Sequence, residues 1–88
     1  MVSKNLIIIN SVGLHLRPAG VFAAEMMKFD SKVTIIFEDK IINAKSMLGI
    51  ISAGIKCGSE ILVECEGSDE EQALRRAEEL ILGGFNDT

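Results

Sequence analysis

Tryptophan and tyrosine are absent from the 88 residues, proline and histidine occur once each, and there are two cysteines. Without Trp or Tyr the chain lacks the larger rings that stack on bases, and no basic cluster exceeds Arg75-Arg76. Together with a net charge of −4, this argues against a nucleic-acid binder that works by neutralising phosphates. The longest aliphatic runs, such as Leu6 to Ile9, fall far below the roughly 20 residues of a membrane helix. No basic stretch followed by an apolar one marks an export signal. The expectation is a cytoplasmic protein with no direct membrane insertion. Cys57 and Cys65, eight apart and with a single His in the chain, do not match zinc-ligand spacing, so no metal site is expected. Both thiols are expected to be reduced, with Cys65 a small core hydrophobe and Cys57 near a turn.

Carboxylates are missing locally rather than globally. Residues 1–24 and 40–59 contain no Asp or Glu, whereas eight of the thirteen acids lie between Glu60 and Glu79. Two carboxylate-free segments suit an anion-handling surface. Chance, together with one helix bearing a solvated acidic face, accounts for the same pattern.

What is present is a globular composition, 48% hydrophobic and 25% charged. Its length allows one domain over residues 1–88 and no second core. Asn5 to Asn10 (NLIIIN) reads as a strand buried on much of its surface. Ser11 to Leu16 is a loop around Gly13, and Pro18 suits the first turn of a helix, where its missing N–H is no loss. Ala19, Phe22, Ala23 and Met26 form that helix's apolar stripe, ending near Lys28. Val33, Ile35 and Phe37 alternate with Thr34, Ile36 and Glu38 in a strand that turns at Glu38-Asp39-Lys40 into a second, Ile41 to Asn43. Ser46 caps a short helix of Met47, Leu48, Ile50 and Ile51 that ends before Gly54. Ile61 to Cys65 is a fourth strand. Ser68 and Glu71 read as a capping box for a helix with Ala73, Leu74, Ala77, Leu80 and Ile81 inward, stopped by Gly83-Gly84. The order β-α-β-β-α-β-α predicts an α+β fold, an antiparallel sheet carrying helices on one face.

His15 stands just before a helix start, where free backbone N–H groups and the positive end of the dipole favour an anion. Arg17 follows two residues later with a guanidinium able to grip phosphate bidentately. No carboxylate lies nearby in sequence to orient the ring, so the partners of a hydrolase are missing. The set instead suits a transient phosphoryl acceptor, because neutral imidazole is nucleophilic near pH 7 and amides with one Arg can hold the phosphoryl oxygens. A histidine that merely caps or packs at the helix start is the plainer alternative.

Gly13-Leu14-His15-Leu16-Arg17-Pro18-Ala19 resembles the active-site signature of HPr, the phosphocarrier family of the bacterial phosphoenolpyruvate-dependent sugar phosphotransferase system. The likeness extends over essentially the whole chain and includes a second motif, Lys45-Ser46-Met47-Leu48-Gly49. The resemblance implies an open-faced β-sandwich, a four-stranded antiparallel sheet in order 1-4-2-3 covered by three helices. It further implies that His15 receives a phosphoryl group on Nδ1 from phosphorylated enzyme I and passes it to IIA components of sugar permeases. Arg17 would steady that group and Pro18 would fix the helix start, with no cofactor on the chain. Position 12, often small and polar in the family, is Val12 here, and Leu16 and Gly20 replace residues more often seen as Ala and as Ser or Thr. Gly20 within a helix costs about 1 kcal/mol against Ala.

The same resemblance implies regulatory phosphorylation of Ser46 by an ATP-dependent HPr kinase/phosphorylase and contact with a transcriptional regulator. It also places Leu16, Gly20, Met47, Leu48 and Ile51 in a partner-docking patch, leaving Ile50 to the core. The chain is expected to be a monomer and a stoichiometric carrier rather than an enzyme with independent turnover. The alternative function is a purely regulatory module, phosphorylated only at Ser46, that binds a transcriptional regulator in catabolite repression.

Overall fold

In the computed structural model, which describes residues 1–86, strand β1 (Val2–Ile7) leads into helix α1 (Leu16–Met26). A hairpin of β2 (Lys32–Phe37) and β3 (Lys40–Asn43) follows. Then come helix α2 (Met47–Ser52), strand β4 (Glu60–Glu66), helix α3 (Glu70–Leu82) and a 3-10 turn, Gly84–Asn86. The strands form one antiparallel sheet in order β1-β4-β2-β3, the expected α+β architecture and strand order. Asp87 and Thr88, the end of the expected domain, lie outside the described residues. No helix among the described residues is long and apolar enough to cross a membrane.

Alternation decides which face of each strand is covered. Val33 and Ile35 on β2, with Ile61, Val63 and Cys65 on β4, are buried beneath the helices. α1 contributes Ala19, Phe22, Ala23 and Met26 to this core, and α3 contributes Ala73, Ala77, Leu80 and Ile81. Leu74 is only partly buried. Burial pushes the Cys65 thiol up to about 11, with the Glu70 and Asp69 charges adding to the effect. Cys65 is therefore an inert core residue, whereas Cys57 is exposed.

Two expectations need correction. The first strand begins earlier, at Val2, and only alternate residues of the aliphatic run are covered. Leu6 and Ile8 are buried, whereas Ile7 and Ile9 are 47% and 52% exposed. The sheet has helices on one face only, so a strand within it cannot bury both sides. The second correction concerns α3. Its N-cap is Asp69 rather than Ser68, and the Glu70 carboxylate accepts from Gly67 N–H. The Asp69 carboxylate does not cap its own helix. It accepts from the backbone N–H groups of Asp30 and Ser31 and from the Ser31 hydroxyl, three donors on the turn before β2. Phe85 joins the core as well. It is buried at φ 56° just past the Gly83-Gly84 stop, its ring edge-on to Phe22 with centroids 6.2 Å apart.

Surface ion pairs add little. Glu25 on α1 meets Arg76 on α3 at 2.9 Å and Lys28 at 2.7 Å. These two partners hold the Glu25 carboxyl below its ordinary range, but solvent screens such pairs.

Phe85→Ala is expected to lower stability by about 3 kcal/mol, read from the urea midpoint, because it empties the space against Phe22. Asp69 generates a pH prediction. The Ser31 hydroxyl and the Asp30 amide lower its folded-state pKa, so the stabilisation is present above the unfolded value of about 4 and is lost as pH falls through the folded one. Urea midpoints measured from pH 6 down to pH 2 should fall more steeply for the native protein than for Asp69→Asn.

Candidate functional site

The loop before α1 is shaped by one close approach. Gly13 adopts φ +67°, and a Cβ there would fall 2.6 Å from the Ile55 carbonyl oxygen and 2.7 Å from Lys56 Cα. Only glycine fits both the left-handed backbone and the space. Leu14, buried at the next position, donates its N–H to the Ile55 carbonyl oxygen at 3.0 Å. The chain is thus fastened to the α2–β4 connection immediately before His15.

His15 is the N-cap of α1, with φ −82° and ψ −164°. Its carbonyl oxygen accepts from Ala19 N–H at 2.8 Å, while its side chain makes no capping hydrogen bond. The imidazole is exposed and stays out of the helix's own bonding. Pro18, buried in the first turn, has no N–H to offer. The amides of Leu16 and Arg17 belong to the first turn, which has no intrahelical acceptor for them. No acidic residue stands in that turn to compete for an anion. Two shallow depressions meet at the ring. One is lined by Val12, Leu16, Arg17 and Pro18, the other by Leu14, Ile51, Gly54, Ile55 and Lys56.

Several residues singled out from sequence do come together here. Leu16 (66% exposed) and the exposed Arg17 lie beside His15, and Ile51 of α2 shares a depression with it. Gly20 explains itself through α2. A Cβ at that position would approach Met47 Sδ to 3.3 Å, so the glycine lets the thioether settle on α1. Met47 and Leu48 are exposed and Ile50 is fully buried, the division expected of this short helix. Ser46 caps α2 as expected, its hydroxyl oxygen accepting from Gly49 N–H at 3.0 Å. Neither depression at the ring includes Ser46 or Leu48. Lys56 was missed from sequence. Its signal was membership of the carboxylate-free segment 40–59, a pattern too diffuse to single out one lysine.

An exposed nucleophilic ring, helix-end amides and two flanking cations can receive an anionic electrophile. Among the described residues, no carboxylate lines either depression to act as general acid or to orient the ring. That chemistry fits a group accepted and released by larger partners better than a self-contained hydrolytic centre.

Comparison with known proteins agrees with this reading. The family model described as "PTS HPr component phosphorylation site" matches residues 2–82. The phosphocarrier protein HPr of Mycoplasma capricolum is 39% identical over 82 residues, 93% of this chain and 92% of its own. The HPr of Treponema pallidum is 36% identical over 87 residues, covering 99% of both chains. The crystal structure of HPr-C-His from Thermoanaerobacter tengcongensis superposes with a TM-score of 0.97 at 36% identity, covering 100% of this chain and 99% of that one. Likeness of sequence and of fold along almost the whole length leaves one assignment: this chain belongs to the HPr family, phosphocarriers of the phosphotransferase system.

Proposed function

We propose that His15 is the residue that carries the phosphoryl group, taking it from phosphorylated enzyme I and passing it to the IIA components of sugar permeases. One observation carries this reading: the only imidazole of the chain stands exposed at the N-cap of α1 and takes no part in capping. In the forward step an imidazole nitrogen lone pair, Nδ1 by family resemblance, attacks phosphorus as the bond to the donor breaks. In the onward step the N–P bond breaks and the acceptor's nucleophile takes the phosphoryl group. Arg17 steadies the phosphoryl oxygens together with the first-turn amides, and Pro18 holds the backbone of that turn in helical conformation. Exposure serves both steps, because each partner must reach the same ring and add its own charges. Leu16, Gly20, Met47, Leu48 and Ile51 form the docking surface around it, with large apolar side chains of the kind interfaces favour. The protein acts in the cytoplasm as a monomer, forming a single domain over residues 1–88 and needing no cofactor.

Ser46 is proposed as a second, regulatory phosphorylation site for HPr kinase/phosphorylase, the product binding a transcriptional regulator. Its hydroxyl oxygen already accepts from Gly49 N–H, and a phosphate ester keeps an oxygen at that place. Phosphorylation adds roughly −2 charge to a segment without carboxylates, which opposes docking by an acidic partner.

Incubation with phosphoenolpyruvate and enzyme I should attach one acid-labile phosphate per chain, counted by intact-mass spectrometry at alkaline pH. His15→Ala should carry none; labelling of that variant would remove His15 from the relay. Ser46→Ala is expected to lose about 1 kcal/mol of folding stability with its cap. The same variant should incorporate no acid-stable phosphate from ATP and HPr kinase, whereas the native chain incorporates one.

A further inference from the structure

Two polar side chains are buried among the described residues, Ser31 and Asn10. Asp69 accounts for Ser31. Asn10 has no comparable part in joining the elements of the fold. Its Nδ2 donates to the Gly13 carbonyl oxygen at 2.7 Å, and the Asn10 backbone carbonyl oxygen accepts from Gly13 N–H at 3.1 Å. The Gly13 carbonyl and the Leu14 N–H belong to a single planar peptide unit. Asn10 holds that unit by its oxygen, and Ile55 holds it by its nitrogen at 3.0 Å. A rigid plane gripped at both ends cannot swing, and His15 is the next residue but one after Gly13.

The other half of the Asn10 side chain makes the case specific. Oδ1 is buried and has no hydrogen-bond partner. A buried acceptor without a donor opposes folding and offsets what the Nδ2 bond to Gly13 contributes. The net gain to folding is therefore small, and what the side chain does distinctively is grip the Gly13–Leu14 peptide. We propose that Asn10 is a positioning residue for phosphoryl transfer at His15, locking the peptide that sets how the ring and the first amides of α1 face the incoming group. This inference rests on the carrier function proposed above and names a residue that never touches the phosphoryl group.

Steady-state transfer from enzyme I tests it, with this chain as the varied substrate and thermal unfolding followed in parallel. Asn10→Ala should lower kcat by about 10- to 100-fold, the range produced by ångström-scale misplacement of a reacting group. KM should stay within about twofold, since the docking surface is untouched. Asn10→Ser, which keeps a hydroxyl donor, should recover part of the lost kcat. A rate for Asn10→Ala equal to that of the native protein overturns the proposal. So does a loss confined to KM, a loss matching the fraction unfolded, or a serine variant as slow as alanine. A native protein that accepts no phosphoryl group overturns the carrier reading itself, which is a separate and recognisable failure.

Discussion

At Gly13 the chain passes so near the Ile55–Lys56 backbone that no side chain fits between them, and what His15 offers hangs from that contact. The loop has no regular secondary structure, yet it is tied to the α2–β4 connection through the Leu14 amide. Ile8, which precedes it, and Ile55, to which it is tied, are both buried. Backbone-to-backbone contact is less yielding than contact through side chains, because no rotamer change relieves it. A site built this way can be both open to solvent and fixed in direction.

Rigidity and exposure are divided between different layers. The sheet and the inward stripes of α1 and α3 supply the apolar core that offsets the entropy of ordering a short chain. α2 does a different task. Ile50 roots it in the core, while Met47 and Leu48 stand outward, with Met47 settled on the bare backbone at Gly20. The helix needs few core contacts because Ser46 closes its start and the Lys40 ammonium donates to the Ala53 carbonyl oxygen at its end.

Most of this organisation could be read from the residues, for reasons that differ by element. Helical stripes were legible because a 3.6-residue period repeats several times along α1 and α3. Val33, Ile35 and Phe37 were legible because alternation with polar neighbours is unambiguous. The run from Leu6 to Ile9 was misjudged because four aliphatic residues in a row erase the alternation signal, and only the one-sided sheet separates covered from bare. The cap was placed one residue early, at Ser68, and the role of Asp69 was hidden because its partners, Asp30 and Ser31, lie nearly forty positions away. Phe85 escaped notice because it follows a glycine pair that looks like the end of structure. At the site, His15, Arg17 and Pro18 were legible because they are neighbours in sequence. Lys56 and the bond from Asn10 to Gly13 were not, since they take their places only after the loop has folded against Ile55.

Openness of the ring carries a consequence for timing. A phosphorylated imidazole is a high-energy species, and under the carrier function proposed above it would stand exposed at the N-cap of α1. Its useful lifetime is a race between spontaneous hydrolysis and collision with the next recipient. Abundance of recipients and speed of encounter, rather than enclosure by this chain, therefore set how much of the transferred energy reaches its destination.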